Sequence, residues 1–114
     1  MKKVIHNVLG TPYAVLFGNR EQLALDECNA GECRIYSKVI KVCTEKEDCT
    51  ETELEAKILE IIAHEIFHAY LNEAGIDLDS SVEEQMASFF MKNWKKMSVS
   101  ISDLFEFDRQ KKMC

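Results

Sequence analysis

Between Thr50 and Ala74 the chain contains neither glycine nor proline, and Gly75 follows directly. Thr50 with Glu53, and Thr52 with Glu55, each offer the hydroxyl and carboxylate of a capping box, while Gly75 offers a C-terminal stop. The stretch therefore predicts a single helix of roughly 22 to 24 residues. Its second half is apolar on almost every side, through Ile58, Leu59, Ile61, Ile62, Ala63, Ile66, Phe67, Ala69, Tyr70 and Leu71. A helix of that kind has to be buried on most sides, so the rest of the chain must pack around it.

The residues before it read as strands. Lys3 to Leu9 and Tyr13 to Phe17 are apolar stretches joined by a Gly10-Thr11-Pro12 turn, and Gly18-Asn19 closes the second. Leu23 to Leu25 extends that hairpin or forms a short helical turn, and Asn29-Ala30-Gly31 marks another turn. Arg34 to Cys43, with Ile35, Tyr36, Val39, Ile40 and Val42, reads as one strand with a solvated side or an edge position. After Gly75, residues 76 to 80 form a loop. Ser81 with Glu84 then fits a further capping box, opening a helix that runs to about Met97. The tail from Ser98 to Cys114 carries Ile101, Leu104, Phe105 and Phe107 and reads as a short docked amphipathic segment with a mobile end.

With 114 residues, one domain is expected over 1–114. The fold class expected is α+β: a small, mostly antiparallel sheet packed on the central helix, with a second helix beside it. A net charge of −6 argues against nucleic acid as a partner, because phosphate contacts need clustered Lys and Arg. Lys92, Lys95, Lys96, Arg109, Lys111 and Lys112 read as a solvated helix face and a frayed end. No apolar run reaches the roughly 20 residues of a membrane span, and Met1-Lys2-Lys3 does not lead into a signal-peptide core. No membrane partner and a cytoplasmic location are expected. The 5 cysteines are then thiols, and their odd number excludes a fully paired disulfide framework. Cys28 with Cys33, and Cys43 with Cys49, are spaced more widely than the usual zinc knuckle, so small buried hydrophobes plus a few exposed thiols are the better reading.

The chemistry sits in the central helix, at His64-Glu65-Ile66-Phe67-His68. Two histidines one turn apart present both rings on one face, within reach of a single zinc ion. Glu65 points about 100° away from His64, where it can act as general base without competing as a ligand. Embedded among Ile61, Ile62, Ile66, Phe67 and Ala69, these polar groups need partners, and a metal supplies one. A catalytic zinc ion takes three protein ligands. The downstream metzincin pattern would need Gly at position 71 and His at position 74, where Leu71 and Ala74 stand. His6 is the remaining histidine but belongs to a distant strand. Antiparallel packing of the next helix would bring Glu83 or Glu84 to the pair, and the sequence leans towards Glu84. The acid not used would be an ordinary helix N-terminal carboxylate. Asp77, Asp79 and Glu73 read as loop-solvating acids. Tyr36 and Tyr70 read as core aromatics rather than oxyanion donors.

Strand-rich first half, Gly31-Glu32-Cys33, His64-Glu65-Ile66-Phe67-His68-Ala69-Tyr70-Leu71, Gly75, then Glu83-Glu84-Gln85-Met86-Ala87: this order resembles small metallopeptidase-like proteins of phages and mobile elements. These are minimal gluzincins, distantly of the ImmA/IrrE type. The resemblance covers residues 1–97 and implies a short twisted sheet on the motif helix. It implies zinc held by His64, His68 and Glu84 (or Glu83), with Glu65 as base. The expected activity is hydrolysis of a peptide or protein substrate, aligned by strand addition to a sheet edge such as the Arg34–Cys43 stretch. Where the ImmA/IrrE type has Glu-Ala-x-x-Phe-Ala, this chain reads Glu84-Gln85-Met86-Ala87-Ser88-Phe89. The alternative function is a non-enzymatic zinc-binding interaction or structural module of the same origin.

Overall fold

The computed structural model describes residues 1–113 and is an α+β fold. Cys114 lies outside the described residues. Strands β1 (Lys2–Val8) and β2 (Thr11–Gly18) form the first hairpin. Its tight turn is Leu9-Gly10, both at positive φ, the backbone a two-residue hairpin loop requires. Helix α1 (Arg20–Leu23) is one turn, capped by Asn19. Strands β3 (Gly31–Arg34) and β4 (Val39–Cys43) form a second hairpin, and two long helices follow, α2 (Glu51–Glu73) and α3 (Ser80–Met113).

The strand order is β1-β2-β4-β3. The two hairpins are antiparallel, and they join through a parallel pairing of β2 with β4. The stretch from Arg34 to Cys43 is therefore not one strand. A turn at 35–38, with Lys38 at φ 59°, folds it back on itself. This corrects the edge position too: β4 is internal, and β3 takes the edge. Isoleucine, tyrosine and valine give the whole stretch β propensity, but where the chain reverses is set by pairing.

Val8, Tyr13, Ile40, Val42 and Ala69 form the buried core, with Ile58, Ile61, Ile62 and Cys33 packed against it. Helix α2 lies over β4 and β3, so residues 2–7 of β1 stay exposed. Between α2 and the β1 half of the sheet is an apolar cleft of about 230 Å³, lined by Val4, His6, Val15, Phe17, Ile62 and Ile66 among others. The Thr50–Glu53 capping box opens α2 as expected.

Helix α3 returns antiparallel along α2. Phe90 stacks on Phe67 at 5.3 Å between ring centroids, and Lys92 meets Glu60 at 3.5 Å. The expected Ser81–Glu84 box does not form. Asp79 accepts the hydrogen bonds from the Ser81 N–H and hydroxyl instead, at 3.0 and 2.8 Å, which leaves Glu84 to face elsewhere. The helix also does not end near Met97. It runs on as one helix of 34 residues, and the docked tail of the sequence reading gives way to a projecting arm, with Ile101, Leu104, Phe105 and Phe107 exposed. From Ser80 to Met113 the chain has no glycine or proline, so nothing local stops it. No helix is long and apolar enough to cross a membrane among the described residues.

Candidate metal centre

The helical period brings His64 and His68 together, with Nε2 atoms 3.3 Å apart. The Gly75 turn and the antiparallel return of α3 bring Glu84 to the same point. Its Oε1 lies 2.9 Å from His68 Nε2 and its Oε2 lies 3.3 Å from His64 Nε2. His64, His68 and Glu84 are the group among the described residues whose donor atoms converge closely enough for one metal ion, all within 4.8 Å of one another.

Glu83 has a different position. Its carboxylate hydrogen-bonds Nδ1 of His68, the nitrogen turned away from the convergence point. The two glutamates that sequence reasoning weighed as rivals thus meet opposite edges of one imidazole. A carboxylate on Nδ1 fixes the tautomer that leaves the Nε2 lone pair free and makes that nitrogen a better donor.

Glu65 is buried beside the pair. Burial pushes its carboxyl up to about 7; nearby Glu84 and Glu32 add to that, and His68 opposes it. Its bed is made by Gly31 of β3. A Cβ at that position would sit 2.7 Å from Ile61 Cγ2 and 2.9 Å from Glu65 Oε2. Cys33, two residues on, is half-buried, and burial with the charges of Glu65 and Glu83 pushes its thiol up to about 12. It is a wall of the site, not a nucleophile. Burial also lowers the pKa of His64, with Glu84 opposing, which favours the neutral ring that a ligand must be.

Other sequence candidates lie elsewhere. His6 pairs with Tyr13 on β1 and lines the apolar cleft. Tyr36 is 95% exposed in the β3–β4 turn, which corrects its reading as a core aromatic. Tyr70 is also exposed, about 200° round α2 from His68. Asp79 caps α3. Glu73, read as a loop acid, instead holds α2 to the sheet, accepting hydrogen bonds from Thr11 Oγ1 and Tyr13 OH at 2.9 Å each and from Lys38 Nζ at 2.6 Å. The sequence alone marks Gly31 only as a turn residue, Gly31 and Cys33 as part of the resemblance and Glu73 as a loop acid, so it misses their places beside Glu65 and on the sheet. The one available signal was a glycine opening a strand, which marks close backbone approach.

No family model, curated protein or solved structure matches this chain.

Proposed function

We propose that the protein is a zinc-dependent hydrolase of the metallopeptidase kind, with His64, His68 and Glu84 as ligands and Glu65 as general base. One observation carries this reading. Ligands about 2.0–2.1 Å from a tetrahedral zinc ion lie roughly 3.3 Å from each other. Here the imidazole nitrogens are 3.3 Å apart, and the Glu84 carboxylate bridges them, Oε1 at 2.9 Å from His68 Nε2 and Oε2 at 3.3 Å from His64 Nε2, with one donor atom from each of the three residues inside 4.8 Å. Two neutral imidazoles and a carboxylate are also the donor set that zinc takes in hydrolases.

Bound there, zinc would polarise the scissile carbonyl and lower the pKa of water. Glu65, the residue after His64 and buried beside the pair, would accept the proton from the attacking water and pass it to the leaving amine. Glu83 holds His68 in register. Strand β3 is the sheet edge whose Gly31 touches Glu65, so an extended peptide added to it would run past the base. A cytoplasmic location belongs to this reading.

The rival is a structural or interaction module. A structural zinc site is closed by four protein ligands. The convergent group among the described residues has three, which favours an open position. The test is zinc content by mass spectrometry, followed by hydrolysis of a peptide library. Zinc at about one per chain, lost in His64→Ala and kept in Glu65→Gln with turnover abolished, supports the enzyme. Zinc-loaded protein that cleaves nothing favours the module, and a metal-free chain refutes both.

A further inference from the structure

Strand β1 ends the sheet, and its residues 2–7 are exposed, Val4 at 45% and Ile5 at 59%. Along an antiparallel ladder, residues alternate between bonding the neighbouring strand and turning both N–H and C=O away from it. Ala14 donates its N–H to Lys38 O at 2.9 Å, on the β4 side, so the pair Ile5–Ala14 exchanges no bonds. Pro12, which has no N–H, stands opposite Asn7 and falls in the same set. The N–H and C=O groups of Lys3, Ile5 and Asn7 therefore point outward, along a seven-residue edge with no bulge or proline to blunt it. The even-numbered side chains turn the other way. Val4 and His6 line the apolar cleft, whose far side is Ile62 and Ile66 of α2.

We propose that this edge is a homodimer interface, in which β1 pairs antiparallel with β1 of a second copy about a two-fold axis at Ile5. Ile5 then meets Ile5 and Lys3 meets Asn7, and these outward residues exchange their hydrogen bonds across the axis. On the α2 face, Val4 meets His6 and Lys2 meets Val8. Opposed residues share a face, so one register serves both the backbone and the side chains. The axis stands perpendicular to the sheet and keeps both α2 helices on one side. Val4 and His6 of each copy thus extend the cleft wall of the other. The register is what selects a second copy. All seven residues pair, and each lysine faces an uncharged side chain. A shift of two residues, the smallest that keeps the outward groups opposed, pairs only residues 2–6 or 4–8. It sets Lys2 on His6 in one direction and His6 on His6 in the other. The strand matches its own reversal over its full length, the condition of a closed isologous contact. Pairing β1 with β3 of the next copy would use only four residues of β3 and would not close. The β3 edge and the metal centre stay free.

The test is sedimentation equilibrium of the full untagged chain across about 1 to 200 µM, a range that brackets a modest interface. A monomer–dimer equilibrium is expected. Ile5→Pro removes both hydrogen bonds on the axis and should weaken the dimer at least about 100-fold. The monomer should keep its thermal midpoint, because an edge strand accepts proline where the N–H faces solvent. Asn7→Lys sets lysine against Lys3 at both ends and should weaken the dimer by about 5-fold or more. Adding Lys3→Glu to that same chain should restore it, which a loss of folding would not allow. Amide exchange followed by NMR reads the register directly. With rising concentration the N–H groups of Lys3, Ile5 and Asn7 should slow, while those of Val4 and His6 are protected throughout. A chain monomeric at every concentration, open-ended association, a dimer that survives Ile5→Pro or dissolves with Leu104→Lys, or a failed rescue by Lys3→Glu would each overturn the proposal.

Discussion

A carboxylate's part in a metal site depends on which imidazole nitrogen it meets, and Glu83 and Glu84 differ in that respect. Glu84 shares the side of His64 and His68 where the Nε2 atoms converge; Glu83 takes Nδ1 of His68. Removing a ligand and removing its orienting partner have different consequences. Glu83→Gln should weaken zinc binding by about 10- to 100-fold without abolishing it, read by competition with a chromophoric chelator. Glu65→Gln should leave zinc affinity near the parent value and lower turnover by at least about 100-fold, the usual contribution of a positioned base. If zinc is lost along with activity, Glu65 is holding the site rather than serving it. Gly31→Ala drives a methyl group against Ile61 and Glu65. We expect a loss of about 1–3 kcal/mol in denaturant unfolding, because a filled interior accommodates an added carbon only by moving its neighbours.

Helix α2 is held at both ends by polar contacts, while apolar packing fixes its middle. At its start, Thr50 and Glu53 exchange hydrogen bonds of 3.2 Å. Thr50→Ala should lower stability by about 1 kcal/mol. At its end, Glu73 is gripped by Lys38, Tyr13 and Thr11, and these three hold its carboxyl down to about 2. A carboxylate with a depressed folded pKa adds stability above its unfolded value and loses it as pH falls through the folded one. That window runs from the ordinary value of 4.5 down to about 2. Glu73→Gln should therefore destabilise the protein clearly at pH 7 and much less near pH 2.5, in urea titrations at the two values. An equal effect at both would mean the contact acts through shape rather than charge.

The candidate centre lies where β3, α2 and α3 meet. A ligand bound only by the folded state stabilises it by mass action. Saturating zinc at about a thousand times its Kd should add about 4 kcal/mol, and a chelator should remove it, read as a shift in thermal midpoint. His64→Ala should show no zinc-dependent shift. The same assembly explains why the β1 half of the sheet stays exposed: α2 is drawn towards β3 and β4, where Ile40, Val42 and Ala69 are buried together.

What the residues alone determined is what short-range periodicity encodes. The stretch before Gly75 without glycine or proline is one helix and its four-residue spacing puts two imidazoles on one face, because each is a matter of backbone geometry within a turn or two. The first hairpin was legible too, but its turn lies at Leu9-Gly10 and not at Gly10-Thr11-Pro12, since Thr11 and Pro12 already pair in β2. Tertiary structure alone decided the rest. Whether Glu83 or Glu84 reaches the Nε2 side depends on how α3 is rotated against α2, and one residue of register turns it by about 100°. That Asp79 rather than Ser81 caps α3, that residues 34–43 fold into a hairpin, that Gly31 beds Glu65 and that Glu73 grips the sheet are all contacts between groups distant in the chain. Such contacts are chosen by packing the whole molecule at once, which no local pattern records.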